Sequence, residues 1–296
     1  MRLTLGPVLF NWAPEAWRDF HFRIADEAPV DRVIIGEVVC SKRSPFFADH
    51  LPEVAERLAA AGKEVVFASL ALVTLERERR AIAELAADDA ILMEANDVST
   101  LRVLAGRPHL IGPFVNVYNE ATAQWLAARG ARAICLPPEL PGTSIAAIAA
   151  SGGVPLEVFA FGRVPLAISA RCYHARVHGL HKDNCRFVCD QDPDGMGVET
   201  LDHEPFLAVN GLQTLSHRCA SLIGDIPALR GMGVASLRLS PQHCDMVAVA
   251  QVFRDVADGR MEVAAGRAAL AGLFPLAPFS NGFLHGRAGV AQVGTA

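Results

Sequence analysis

The sequence predicts an α/β fold: a (β/α)8, TIM-barrel-like domain with a cysteine-bearing insertion after strand seven and an irregular C-terminal tail. Two observations lead there. Short apolar, β-branched runs alternate with Ala/Leu/Glu/Arg-rich stretches, and strand starts recur about every 20–35 residues, the rhythm of βαβ units. Runs such as Val33-Ile34-Ile35 and Val65-Val66-Phe67 are continuously apolar, as strands buried on both faces must be. A chain of 296 residues suits one barrel-type domain spanning 1–296.

In chain order, strands are expected over 3–9, 32–39, 64–70, 90–94, 110–117, 133–136 and 156–162. Helical patterns fill the intervals at 14–25, 52–61, 75–87, 98–104, 120–128 and 144–150. The closing strand falls at 235–239, after a helix ending at Leu229-Arg230-Gly231, where glycine serves as the C-terminal cap. Residues 164–213 then form the insertion, with turn chemistry at Asp190-Gln191-Asp192-Pro193-Asp194-Gly195. A helix follows Gln242 to about Asp258, and the Gly/Pro/Ala-rich remainder lacks clear periodicity.

Composition excludes several classes. A hydrophobic fraction of 51% and a mean hydropathy of +0.27 belong to a globular chain rather than a disordered one. A formal net charge of −5 gives no basis for nucleic-acid binding, which needs a concentrated basic surface. No run approaches the ~18 apolar residues of a membrane span. Gly6-Pro7 interrupts the N-terminus before a secretory h-region can form, so the expected compartment is the reducing cytoplasm. There, clustered cysteines more often hold metal than form disulfides.

Of seven cysteines, Cys172, Cys185 and Cys189 lie close together in a charged, polar segment, and Cys40 ends an apolar run far upstream. Cys40 and Cys172 follow strands two and seven, so a barrel places both at its carboxyl rim, where barrel chemistry is built. Cys185 and Cys189, four apart, would share a face of a helical turn capped by Asp183 or Asn184. Converging thiolates require a cation, and sulfur donors select iron–sulfur clusters or zinc. His174, His178 and His181 share the insertion, so a Cys/His zinc site competes, although a solvated loop is the expected fate of those histidines. Cys135, Cys219 and Cys244 sit singly and are expected to be buried small hydrophobes, the last two in helix-like settings.

Polar groups near the strand ends supply candidates for catalysis: Glu37, Asn116, Glu157, Arg163 and Arg171. Glu37 and Glu157 stand in apolar runs and need partners, for which Arg163, Arg171 and Arg43 are available. Asn96 or Asp97 is expected to cap the helix that follows. Walker, G-x-G-x-x-G, G-x-S-x-G and H-E-x-x-H patterns are all missing.

The segments Leu156-Glu157-Val158-Phe159-Ala160-Phe161-Gly162-Arg163-Val164-Pro165-Leu166 and Ser169-Ala170-Arg171-Cys172 resemble the signature of the collagenase-like peptidase family U32. Within it the likeness is to the UbiV branch, of the oxygen-independent ubiquinone-biosynthesis pair UbiU and UbiV. It extends through residues 112–119, 210–216, 237–241 and 281–286. The resemblance implies a barrel carrying one [4Fe–4S] cluster on Cys40, Cys172, Cys185 and Cys189. It also implies a heterodimer with a UbiU-type protein, a nearby lipid-carrier accessory protein, and hydroxylation of the ring of an isoprenoid-quinone precursor without molecular oxygen. The segment Arg238-Leu239-Ser240-Pro241 departs from the peptidase members, which argues against a working protease. The alternative within the family is a peptidase-like or RNA-modifying (tRNA or rRNA hydroxylation) enzyme.

Overall fold

The structure, a computed structural model, describes residues 1–294. Eight parallel strands close on themselves: β1 (Arg2–Leu5), β2 (Arg32–Ile35), β3 (Glu64–Ala68), β4 (Met93–Ala95), β5 (His109–Ile111), β6 (Ala131–Cys135), β7 (Leu156–Ile168) and, late in the chain, Ser236–Leu239. The last of these pairs in parallel with both β1 (Leu3 with Leu237) and β7 (Val158 with Leu237). That double pairing closes the barrel where the sequence placed it.

The helices between strands are α1 (Pro14–Glu27), α2 (Ser44–Phe47), α3 (Leu51–Ala60), α4 (Glu76–Ala86), α5 (Val98–Val103), α6 (Glu120–Ala127) and α7 (Gly142–Ala150). Side-chain caps start two of them: Asp97 accepts from Ser99 N at 2.7 Å and Asn119 from Thr122 N at 2.9 Å. Asp97, not Asn96, is therefore the cap. Asn96 is buried and bonds Ser69 and Glu94 instead.

Only the first part of β7 belongs to the barrel wall. At Gly162 (φ +122°) the strand bends outward, and its second half pairs antiparallel with β10 (Gln213–Ser221). The excursion between them contains α8 (Tyr173–Val177), β8 (Met196–Glu199) and β9 (Pro205–Asn210), and β8, β9 and β10 form an antiparallel side sheet. The excursion therefore returns at Ser221 rather than 213. Cys219, expected in a helical setting, is a fully buried strand residue of β10.

After α9 (Ile226–Gly231) and the closing strand β11 (Ser236–Leu239) come α10 (Met246–Ala257), α11 (Val263–Leu273) and β12 (Phe279–Ser280). The irregular tail expected there is corrected by α11. Its buried positions are Gly266 and Leu270; a Cβ on Gly266 would come within 2.8 Å of Val256 on α10. A glycine at the contact lets the helices approach and also hides the apolar period that marks a helix.

The barrel interior is ionic at its middle. Arg238 on β11 reaches Glu157 on β7 (2.6 Å) and Glu94 on the opposite wall, while Thr4 and Arg32 also meet Glu157. These side chains are buried, and a contact from β11 to β4 can run only through the lumen. Arg238, rather than Arg163, Arg171 or Arg43, therefore balances Glu157, and holds its carboxyl below the usual range against the upward push of burial.

Candidate functional site: a pocket ringed by four thiols

Cys40, Cys172, Cys185 and Cys189 line one pocket at the carboxyl rim, with Lys42, Arg43, His174 and Lys182 beside them. Three separate segments deliver them. Glu37, just past β2, accepts hydrogen bonds from Val39 N (2.7 Å) and Cys40 N (2.9 Å), curling the loop so that Cys40 turns toward the excursion. Cys172 sits at the N-terminus of α8, where its sulfur accepts from Ala175 N at 3.4 Å and lies 3.3 Å from Gly211 O. Cys185 and Cys189 flank a reversal of the chain: Arg186 (φ +49°) and Phe187 (φ +55°) are both left-handed. The helical turn expected for 185–189 is thus replaced by two short 3₁₀ turns, Lys182–Asn184 and Val188–Gln191.

Asn210, fully buried, ties these segments together. Its Nδ2 donates to Cys189 O and to Asp192 O, both at 2.8 Å. Its Oδ1 accepts from Arg43 Nη2 (2.6 Å) and Asn11 N (3.2 Å). Asn11 in turn points Nδ2 at Cys189 Sγ, 3.4 Å away. Gly211 (φ +67°) must be glycine, because a Cβ there would overlap the Arg43 guanidinium.

Arg43 is the charge that organises the pocket. It is 1% exposed and donates to Leu9 O at 3.2 Å. Burial works to lower its pKa, but Glu37, Cys189 and Cys40 outweigh it, so the guanidinium stays charged. Burial raises the Cys40 thiol despite Arg43. Burial also raises Cys172, with Cys189 and Cys185 adding to the rise. Neither has the depressed pKa of an activated nucleophile. Both thiols therefore favour the protonated form.

His174 is fully buried, not solvated as expected. It lines the pocket, stands 3.0 Å from Asp192 and stacks on His178. Burial lowers its pKa, so the ring favours the neutral form. Among the described residues no three His, Cys, Asp or Glu side chains group tightly enough for a single metal ion. A tetrahedral zinc with bonds of about 2.3 Å requires sulfurs about 3.8 Å apart. A cubane gives each thiolate its own iron and takes a wider ring of sulfurs. Four thiols lining one pocket are the donor type that soft metal centres take.

Of the other candidates only Glu37 adjoins the thiols. Glu37 belongs to the thiol loop, whereas Glu157 is locked in the lumen. Arg163 is buried against Asp194 (2.9 Å) and the carbonyls of Ser216 and His217. Arg171 is exposed. Asn116, left-handed at φ +61°, faces a separate recess with Glu139 and Pro165. Cys135 and Cys219 are buried singly as expected; Cys244 is half-buried in the loop before α10.

Fold and site together define a (β/α)8-barrel protein with a thiol-bearing excursion at its rim. The model of peptidase family U32 matches residues 19–293, and the chain belongs to that family. Among solved structures, a provisionally assigned fructose-1,6-biphosphate aldolase from Coccidioides immitis is 12% identical with a TM-score of 0.42, covering 93% of this chain and 89% of its own. A tryptophan synthase complex from Pyrococcus furiosus is likewise 12% identical at 0.42, covering 91% and 98%. Likenesses this slight add nothing to the strand pairing, which alone establishes the barrel.

Proposed function

We propose that this chain is a UbiV-like iron–sulfur subunit of an oxygen-independent hydroxylase acting on the aromatic ring of ubiquinone precursors. Its partner is a UbiU-type protein, with a lipid-carrier accessory protein delivering the isoprenoid-quinone precursor. The observation that carries the reading is the meeting of Cys40 with Cys172, Cys185 and Cys189 around one pocket. Three of these thiols also pack in a small apolar cluster with Val38, Val39 and Leu212, and Arg43 adds a buried cation beside them.

Those four cysteines would hold one [4Fe–4S] cluster, which supplies one-electron chemistry or a Lewis-acidic iron when bound. The chain's own residues do the rest. Arg43, Lys42 and Lys182 offset the negative charge of four thiolates. Asn11 and the Ala175 amide donate toward sulfur, the kind of contact that tunes a cluster's potential. His174 lines the pocket and stands 3.0 Å from Asp192 behind it.

Seven unpaired thiols accord with a reducing, cytoplasmic setting. No helix among the described residues is long and apolar enough to cross a membrane. A proteolytic role finds no support in thiols whose pKa is raised by burial. Deleting the gene tests the reading: anoxic cells should lose ubiquinone while oxygenated cells keep it. Unchanged ubiquinone under anoxia overturns it.

A further inference from the structure

A second cavity, of about 810 Å³, opens between α2 and α4, with Leu51 at the start of α3 on its wall, next to the thiol pocket. Its walls are apolar, built from Phe47, Leu51, Phe67, Ile82, Leu85 and Met93. Lys42 and Phe187 line both this cavity and the thiol pocket, so the two share a wall. The volume lies in the range of ~300–1,000 Å³ typical of small-molecule sites.

The cavity has a direction. α4 runs antiparallel to the strands, which places Arg77 at the rim and Leu85 deep. Arg77, Ala81 and Leu85 follow one helical face into the cavity over about 12 Å. Charges at the mouth are unequal. Glu78 is occupied by Ser41 Oγ (2.5 Å), Thr74 N (2.8 Å) and Leu75 N (2.9 Å), and Glu37 by its own loop. Arg77 is exposed and has no hydrogen bond or ion pair among the described residues.

We infer that this cavity binds an amphiphile with a single apolar chain and an acidic head. The chain descends along α4 opposite α2 and Leu51, and the head meets Arg77 at the rim, beside the shared wall. The binding claim stands alone. That the head is the end presented for reaction rests on the proposed function.

The test uses the purified full-length chain, with and without removal of iron, and the fluorescent fatty acid cis-parinarate displaced by decanoate or by 1-decanol. Saturable one-to-one binding is expected in both preparations. Ala81→Trp, at an exposed position inside the cavity, should weaken it at least ten-fold without changing the far-UV circular dichroism. Arg77→Ala should weaken decanoate at least five-fold and leave decanol unchanged. Absent saturable binding, indifference to Ala81→Trp, or equal losses of acid and alcohol in Arg77→Ala overturns the inference. Binding that persists in a chain never found to contain iron keeps the cavity assignment while removing the cluster reading.

Discussion

Replacing Arg43 by Met removes the buried cation that faces Cys40 and Cys189 while keeping much of its packing. Two charge-assisted hydrogen bonds go with it, to Asn210 Oδ1 at 2.6 Å and to Leu9 O at 3.2 Å. Such bonds contribute ~1.5–3 kcal/mol each; the low end applies, because Met also avoids the cost of burying a charge. Asn210 Oδ1 keeps the Asn11 amide and Glu37 keeps its two loop amides, so neither is orphaned. The expected loss is about 3 kcal/mol, or roughly 6 °C in Tm for a chain of this size. Urea denaturation of iron-free protein measures it without any contribution from a metal. Arg171→Met, at an exposed side chain, serves as the control and should stay within ~0.5 kcal/mol. A cycle with Asn210→Ala should show coupling of at least ~1 kcal/mol. An Arg43→Met variant as stable as the control, or additive with Asn210→Ala, would refute the argument that this guanidinium braces the pocket.

Three further outcomes follow from the same reasoning. His21 is buried beside Trp17, and burial lowers its pKa to about 4. The unfolded chain takes up that proton first, so stability is full above pH 6.5 and falls by about 3 kcal/mol toward pH 4; His21→Leu should flatten this part of the pH–stability curve. Gly162→Ala places a Cβ 2.7 Å from Ser240 Cβ at a left-handed φ, and should cost about 2 kcal/mol or more, seen as a lower Tm. Cys135→Ala and Cys219→Ala should leave bound iron unchanged while Cys185→Ala loses most of it; equal losses from all three would mean the thiol pocket is not the iron site.

The barrel was legible because parallel strands are apolar on both faces and recur at fixed spacing. Val33–Ile35 and Val65–Phe67 could hardly be anything else. Boundaries were less so. β7 keeps its apolar character past the point where Gly162 bends it out of the wall, so where the barrel ends and the side sheet begins is set by β10 pairing, a long-range event. α11 escaped notice because a contact glycine stands where an apolar residue would reveal the period. At the site, the cysteines stood out by their charged surroundings, but what joins them did not. Asn210 lies 21 residues from Cys189 and 167 from Arg43, and no local pattern links them. His174 was read as solvated from a polar neighbourhood, yet α8 packs it against Asp192. Arg238 carried a weak signal, a lone cation in an otherwise apolar closing strand, but its carboxylate partners lie on other walls.

The most direct test of the account is iron and acid-labile sulfide analysis of the chain purified without oxygen, alone and with the proposed UbiU-type partner, backed by electron paramagnetic resonance after reduction. About four irons and four sulfides per chain, lost on Cys40→Ala or Cys172→Ala as fully as on Cys185→Ala or Cys189→Ala, are predicted. Stoichiometric zinc without sulfide, or iron that survives removal of Cys40, would contradict it.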